Sequence, residues 1–408
     1  MHSSEVTSSL TGIAGEIHRL IRTRFMSPDH LIYDYAGPNG EVDLPMPEEC
    51  AECKPNAMAW WSPIEDCAFL TADYLTGQCN RYRREKSEER RGEIRGMVSG
   101  LYKLQDVCGV PGMIARGIGS DGKCHPRASS NDQVIPWLIA LREFLKTDIP
   151  TESEQRECRD RMRALLAGLR AANWSIPGEG AGFTRGSFLY IDGLEGRLSS
   201  VHLAFVAKLS EELGDSAGWY RQVLTEPLAN GKTRLGIIGE GYLDFRPGHG
   251  WFLGHAQYAV RELLRAETDP EFRTAFANWL KVTGKLASDD IRFYREWDSG
   301  EDDVFTPDWR RMLTAWTPQS CCHDAEKVAF AELEVWHRVC PGVNRDKRTA
   351  LRAFPAAWIT LMSGDDALIA ARLPEIEEML RHFDYSRFYY AAFVFAENAV
   401  QELLDRVD

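Results

Sequence analysis

The sequence predicts an all-α chain built as an (α/α)6 toroid, a double ring of alternating inner and outer helices. Three observations lead there. Apolar residues recur at helical spacing along nearly all of the 408 residues. Helix pairs return roughly every 55 to 70 residues, too long and uneven a period for a small solenoid repeat. Short turns join the helices of a pair, and longer loops rich in Gly and aromatic residues lead to the next pair.

The stripes define the elements in order. Ala68, Ala72, Leu75, Cys79 and Tyr82 form the first, and Val134, Leu138, Leu141 and Leu145 the second. Leu198, Val201, Phe205 and Leu209 follow, then Leu253, Ala256, Val260 and Leu263, then Phe388, Ala392, Phe395, Ala399 and Leu403. Further helices are expected near 87–107, 151–172, 214–228, 270–287, 349–362 and 366–383, with Pro374 kinking or dividing the last. Start signals agree with the stripes. Ser62-Pro63-Ile64-Glu65, Ser130-Asn131-Asp132-Gln133 and Thr151-Glu152-Ser153-Glu154 read as capping boxes, and Asp269-Pro270 and Thr306-Pro307 as cap-plus-Pro starts. Phe188–Ile191 and Leu235–Ile238 are the few segments with strand character. Without a Ser-, Pro- or Gly-rich linker, residues 1–408 read as one domain.

Composition narrows the partners. A net charge of −13 disfavours nucleic acid, whose phosphates need a Lys/Arg surplus. The start of the chain carries no basic segment followed by an apolar one, and no apolar run suffices to span a bilayer. Many of the ten cysteines fall on apolar stripes, as in a reduced, cytoplasmic protein. Cys50-Ala51-Glu52-Cys53 has no second CxxC, and Cys321-Cys322 reads as buried thiols, so neither metal nor cofactor is expected.

The distinctive residues gather at the proposed inner-helix starts: Trp60–Cys67, Ser129–Gln133, Ser199–His202, His249–His255, Ser320–Asp324 and Tyr385–Tyr389. Carboxylates and imidazoles among aromatic rings suit a sugar, whose C–H faces stack on rings and whose hydroxyls need fixed polar partners. Asp132 and Asp66, with Glu65 beside them, are the candidate acid and base of glycosidic cleavage. Acids in first helical turns are equally favoured by the macrodipole, so capping remains an alternative role for all three. Trp60, Trp61 and Trp251 would supply stacking walls, and Asn131, Gln133, Arg185, Tyr190, Tyr242, His249 and His323 polar or aromatic contacts. Arg185 and Arg246 are candidates for pairing with a uronate carboxylate. His202, His255 and Tyr258 would serve a second chemistry, that of a polysaccharide lyase or sugar epimerase, and a non-catalytic sugar-binding or interaction scaffold is the third reading.

The pattern of paired helices with acid-bearing starts resembles the (α/α)6-toroid carbohydrate enzymes, nearest the unsaturated glucuronyl and rhamnogalacturonyl hydrolases. In that family an Asp at an inner-helix start precedes an apolar, Pro-containing run, as Asp132 precedes Val134-Ile135-Pro136-Trp137-Leu138. An earlier inner helix there also opens with an acid, as Glu65-Asp66 does. The resemblance implies that Asp132 is the general acid/base hydrating an unsaturated uronyl double bond, with Asp66 as supporting acid and an oligosaccharide as substrate. The Glu65-Asp66-Cys67 and Cys321-Cys322 pieces are also similar to parts of the zinc–cysteine β-L-arabinofuranosidases, in a different order and spacing and without the β-sandwich that follows there.

Overall fold

The computed structural model describes residues 2–244, 250–298, 300 and 304–407. Among them the chain is all-α, with sixteen α-helices, short 3-10 and π turns, and isolated β-bridges in place of any sheet. None of these helices is long and apolar enough to cross a membrane. By its internal contacts the chain divides into two compact units, one of residues 1–186, 297–347 and 384–401, the other of 187–296, 348–383 and 402–408.

The first unit begins with α1 (His2–Leu20), α2 (Pro47–Ala51), α3 (Cys67–Arg84), α4 (Glu88–Asp106), α5 (Asn131–Leu145) and α6 (Glu152–Ala171). Helices α3 and α5 pack against each other, with α4 and α6 joined to them by short turns. Thr151 caps α6 in a full capping box with Glu154, as its spacing predicts. The box expected at Ser62 does not form. Residues 62–66 are turns, α3 starts at Cys67, and the Glu65 carboxylate turns back to accept from the Trp61 N–H. The Tyr35 hydroxyl, 30 residues away, donates to the same carboxylate oxygen, so Glu65 is engaged outside the cap.

The second unit opens with α7 (Gly193–Glu212), α8 (Trp219–Thr225), α9 (Arg234–Glu240), α10 (Gly250–Ala266) and α11 (Pro270–Ala287). Leu235–Ile238, with its strand character in sequence, is inside α9, where the Thr233 hydroxyl caps the Gly236 N–H. Phe188 and Leu189 lie in a turn. Asp269 caps α11 with Pro270 in its first position, as expected.

In the first unit follow α12 (Cys322–Val339) and α13 (Pro341–Arg348), the latter ending one residue past the unit's edge. Thr306-Pro307 starts no helix; Asp308 instead caps a short 3-10 turn from Trp309. In the second unit α14 (Ala350–Leu361) packs on α10 and α11, and α15 (Asp366–His382) runs through Pro374 as one helix. The last helix, α16 (Val394–Val407), starts later than its stripe suggests, because Phe388 lies in an irregular segment after the 3-10 turn Tyr385–Arg387.

That irregular segment is fixed by charge. The Arg24 guanidinium donates to Gly37 O at 3.2 Å, Ser386 O at 2.6 Å and Phe388 O at 2.7 Å. Asp346 accepts from the Tyr389 and Tyr390 N–H groups at 2.8 and 3.2 Å, and Arg345 pairs with it at 3.0 Å. These buried charges satisfy carbonyls and amides that no helix or sheet satisfies. The result sets Tyr390 against Tyr35 in an antiparallel bridge.

Candidate functional site: a buried carboxyl cluster

Four acids meet inside the first unit: Asp34, Glu65, Asp66 and Asp132, none more than 8 % exposed. The segment before α3 supplies two of them. Trp61 takes a left-handed backbone, φ +72°, which a bulky side chain adopts only when its surroundings impose it. Its N–H donates to Glu65 Oε2 at 2.9 Å and its indole N–H to Ala329 O at 2.8 Å. The same Glu65 oxygen accepts the Tyr35 hydroxyl at 2.7 Å. Asp66 follows at the N-cap of α3 but caps nothing with its side chain.

Arg116 ties the cluster together. Its backbone carbonyl accepts from Ala68 N in the first turn of α3 at 2.9 Å. Its guanidinium donates to Glu65 O at 2.8 Å, Asp66 Oδ1 at 2.8 Å and Ser130 Oγ at 2.6 Å, and stands 3.9 Å from Asp132 Oδ1. The Ser130 hydroxyl in turn donates to Asp132. Gln133 donates to Asp66 Oδ1 at 2.7 Å, and Asp34 Oδ2 accepts the Asp66 backbone N–H at 2.7 Å. The starts of α3 and α5 therefore share one cation, and Asp66 and Asp132 flank it.

Two cations face four carboxyls, because Lys347 also approaches, 3.7 Å from Glu65 Oε1. Full ionisation would leave excess negative charge in a low-dielectric interior, which protons relieve. Burial pushes Asp66 up to about 7, opposed by Arg116 and reinforced by Glu65 and Asp132. Burial, with the charges of Asp66 and Glu65, holds Asp34 well above the usual carboxylate range. Desolvation works against the charge on Arg116, but the surrounding carboxyls outweigh it. The cluster thus holds a proton donor at neutral pH within a step of another carboxyl.

Aromatic rings border the cluster. Trp60, half-buried, packs 6.0 Å from Trp61 and edge-on to the exposed Phe330 at 5.9 Å. The Arg185 guanidinium lies 5.2 Å over Trp60, with its Nη2 3.2 Å from Glu326. Beneath Trp60 an apolar cluster includes Cys53 and Cys322, whose thiols burial pushes up. Among the described residues no three His, Cys, Asp or Glu side chains are disposed to hold a metal ion.

The structure brings Glu65, Asp66, Asp132 and Gln133 together, with Trp60, Trp61 and Arg185 beside them. Asn131 is half-buried at the start of α5, and His323 is exposed in the first turn of α12. The other candidates belong to the second unit. Ser199–His202 lies inside α7 rather than at its start. His202 is 2 % exposed, edge-on to Phe188, with neither ring nitrogen hydrogen-bonded; burial and the neighbouring His255 push it down to about 3. Tyr258 is buried under Arg261 at 4.6 Å, and Tyr242 against Trp279 at 6.2 Å. Trp251 packs on Phe252, and Tyr190 is exposed. His249 and Arg246 lie outside the described residues.

Sequence reasoning missed Asp34, Arg116, Lys347, Tyr35 and Tyr390. Asp34 and Arg116 carried a signal, each being a charge set against an apolar run, Leu31-Ile32-Tyr33 and Met113-Ile114-Ala115. Lys347 carried none. Comparison with known family models, curated proteins and solved structures returns no match.

Proposed function

We propose that this chain is a carbohydrate-active enzyme of the (α/α)6-toroid class, a glycoside hydrolase acting on a uronic-acid-containing oligosaccharide through Asp66 and Asp132. The toroid reading draws support from helices paired by short turns: α3 with α4, α5 with α6, α7 with α8, α10 with α11, and α14 with α15. One observation carries the chemistry. A buried carboxyl, Asp66, pushed up to about 7 stands with Asp132 on a shared Arg116, so a group able to give a proton lies beside a second carboxyl.

For an unsaturated uronide, the two acids would hydrate the double bond. One carboxyl gives its proton to one carbon of the C=C bond. Water bonds to the other carbon and loses its proton to the second carboxylate, restoring the pair to one proton in total. The resulting hemiketal opens and releases the neighbouring sugar. Arg116 orients both acids, and Trp60 and Trp61 supply ring faces for the sugar. The lyase or epimerase reading has less support, because a group acting on substrate must reach it, and His202, His255 and Tyr258 are 2 %, 1 % and 1 % exposed.

Asp132→Asn tests this reading. Consumption of the ultraviolet absorbance of an unsaturated uronyl disaccharide should fall by about 10²–10⁴-fold, with binding retained. Full turnover in that variant sinks the proposal, and a rise of absorbance with a saturated polyuronide would point to a lyase.

A further inference from the structure

Lys347 is held in an unusual way. Its ammonium stands over the rings of Trp61, Tyr390 and Tyr35, at 4.6, 5.1 and 5.3 Å from their centroids. Its ion pair to Glu65, at 3.7 Å, is longer than a hydrogen bond. Among the described residues Lys347 Nζ forms no hydrogen bond. Ring faces attract the charge without using its three N–H donors, so they remain available.

The neighbouring cations differ in this respect. Arg116 is 1 % exposed in its side chain and committed to Glu65 O, Asp66 and Ser130. Arg185 is turned onto Glu326. The Lys347 side chain is 20 % exposed against 9 % for Glu65, so the cation is the more open of the two. Glu65 is locked by Tyr35 and the Trp61 N–H, and flanks the ammonium on one side.

We propose that Lys347 is the anion receptor of this site, and that its ammonium takes the carboxylate of a uronate ring. The substrate class rests on the hydrolase reading above; the receptor itself rests on the unspent donors, the ring cage and the exposure. The cage holds the ammonium by ring faces that are themselves buried at Tyr35 and Tyr390, so the charge is what the site offers a ligand. It also gives the site a preference for charged over neutral sugars, which neither Asp66 nor Asp132 can supply.

The test is calorimetric titration of D-glucuronate and its neutral methyl ester into the wild type, Lys347→Met and Lys347→Arg, beside turnover of an unsaturated uronyl disaccharide. The expected result is glucuronate binding weakened about tenfold or more in Lys347→Met, equivalent to about 1.4 kcal/mol. Ester binding should stay within about twofold, and Lys347→Arg should recover most of the acid binding. KM for the disaccharide should rise by a similar factor. Equal acid binding by wild type and Lys347→Met overturns the proposal, as does a wild type that binds neither probe. Parallel loss of acid and ester also overturns it, since that outcome marks Lys347 as a support for the rings. Lys347-dependent glucuronate binding without turnover by the wild type sinks the hydrolase reading and leaves the receptor standing.

Discussion

Glu332 shows what a single buried acid costs this protein. It is buried in α12 at 0 % exposure, neither carboxyl oxygen has a hydrogen-bond partner among the described residues, and burial alone pushes it up to about 8. Its folded-state pKa lies above the ordinary 4.5 of a glutamate, so the folded protein binds the extra proton. The stability this contributes is fully present below about pH 4.5 and is lost as the pH rises through about 8, at up to about 1 kcal/mol per pH unit. Glu332→Leu should flatten that slope and raise stability at pH 7.5 by about 1–3 kcal/mol, because an unpaired polar group gives way to an apolar one of similar size. Urea unfolding of both proteins from pH 5 to 8 measures it; parallel profiles would refute the assignment. At this scale the candidate site was half legible. Glu65, Asp66 and Asp132 stand out as acids at apparent helix starts, a position where capping and catalysis both favour an acid. Lys347 and Tyr390 come from a short helix and an irregular segment, where no periodicity marks a residue as facing the others.

The elements were more legible than their junctions. Stripes located α3, α5, α7 and α10, because each buries one face and apolar spacing records it. The misplaced starts at Ser62, Thr306 and Phe388 share a cause: partners distant in sequence hold those segments. Close approach is equally invisible. Gly168, inside α6, lies against the backbone of Gly112, itself at φ +87°, and a Cβ on Gly168 would stand within contact distance of Pro111 and Gly112. No side chain there can move aside. Gly168→Ala should therefore destabilise by about 1–3 kcal/mol, although the same change in an open helix stabilises by up to about 1 kcal/mol. A midpoint of unfolding at or above the wild-type value would show that the loop yields.

At the scale of the molecule, the first unit is assembled from three stretches of chain, 1–186, 297–347 and 384–401. Reading residues 1–408 as one domain rested on the lack of a linker, and units that interleave along a chain need none at their boundaries. The helical class was legible in the sequence, whereas the two compact units depend on which distant stretches pack together. Residues 1–186 expressed alone should not fold. They lack the Ser386 and Phe388 carbonyls that Arg24 requires, the Ala329 carbonyl that holds Trp61, and the Tyr390 backbone opposite Tyr35. Dispersed amide resonances and a cooperative thermal transition in that fragment would contradict this.

The shared Arg116 and the Lys347 cage have a consequence for synthesis. The site runs from Asp34 to Tyr390, 356 positions apart (390 − 34), which a ribosome covers in roughly 20–70 s. During that interval the early acids emerge without Lys347 and without the tyrosine that completes its cage, and they must stay hydrated and charged. Closure of the site, and the uptake of protons that comes with it, must therefore wait until Tyr390 has emerged. A chain broken just ahead of Tyr385 would carry every candidate acid and still have no place to put them.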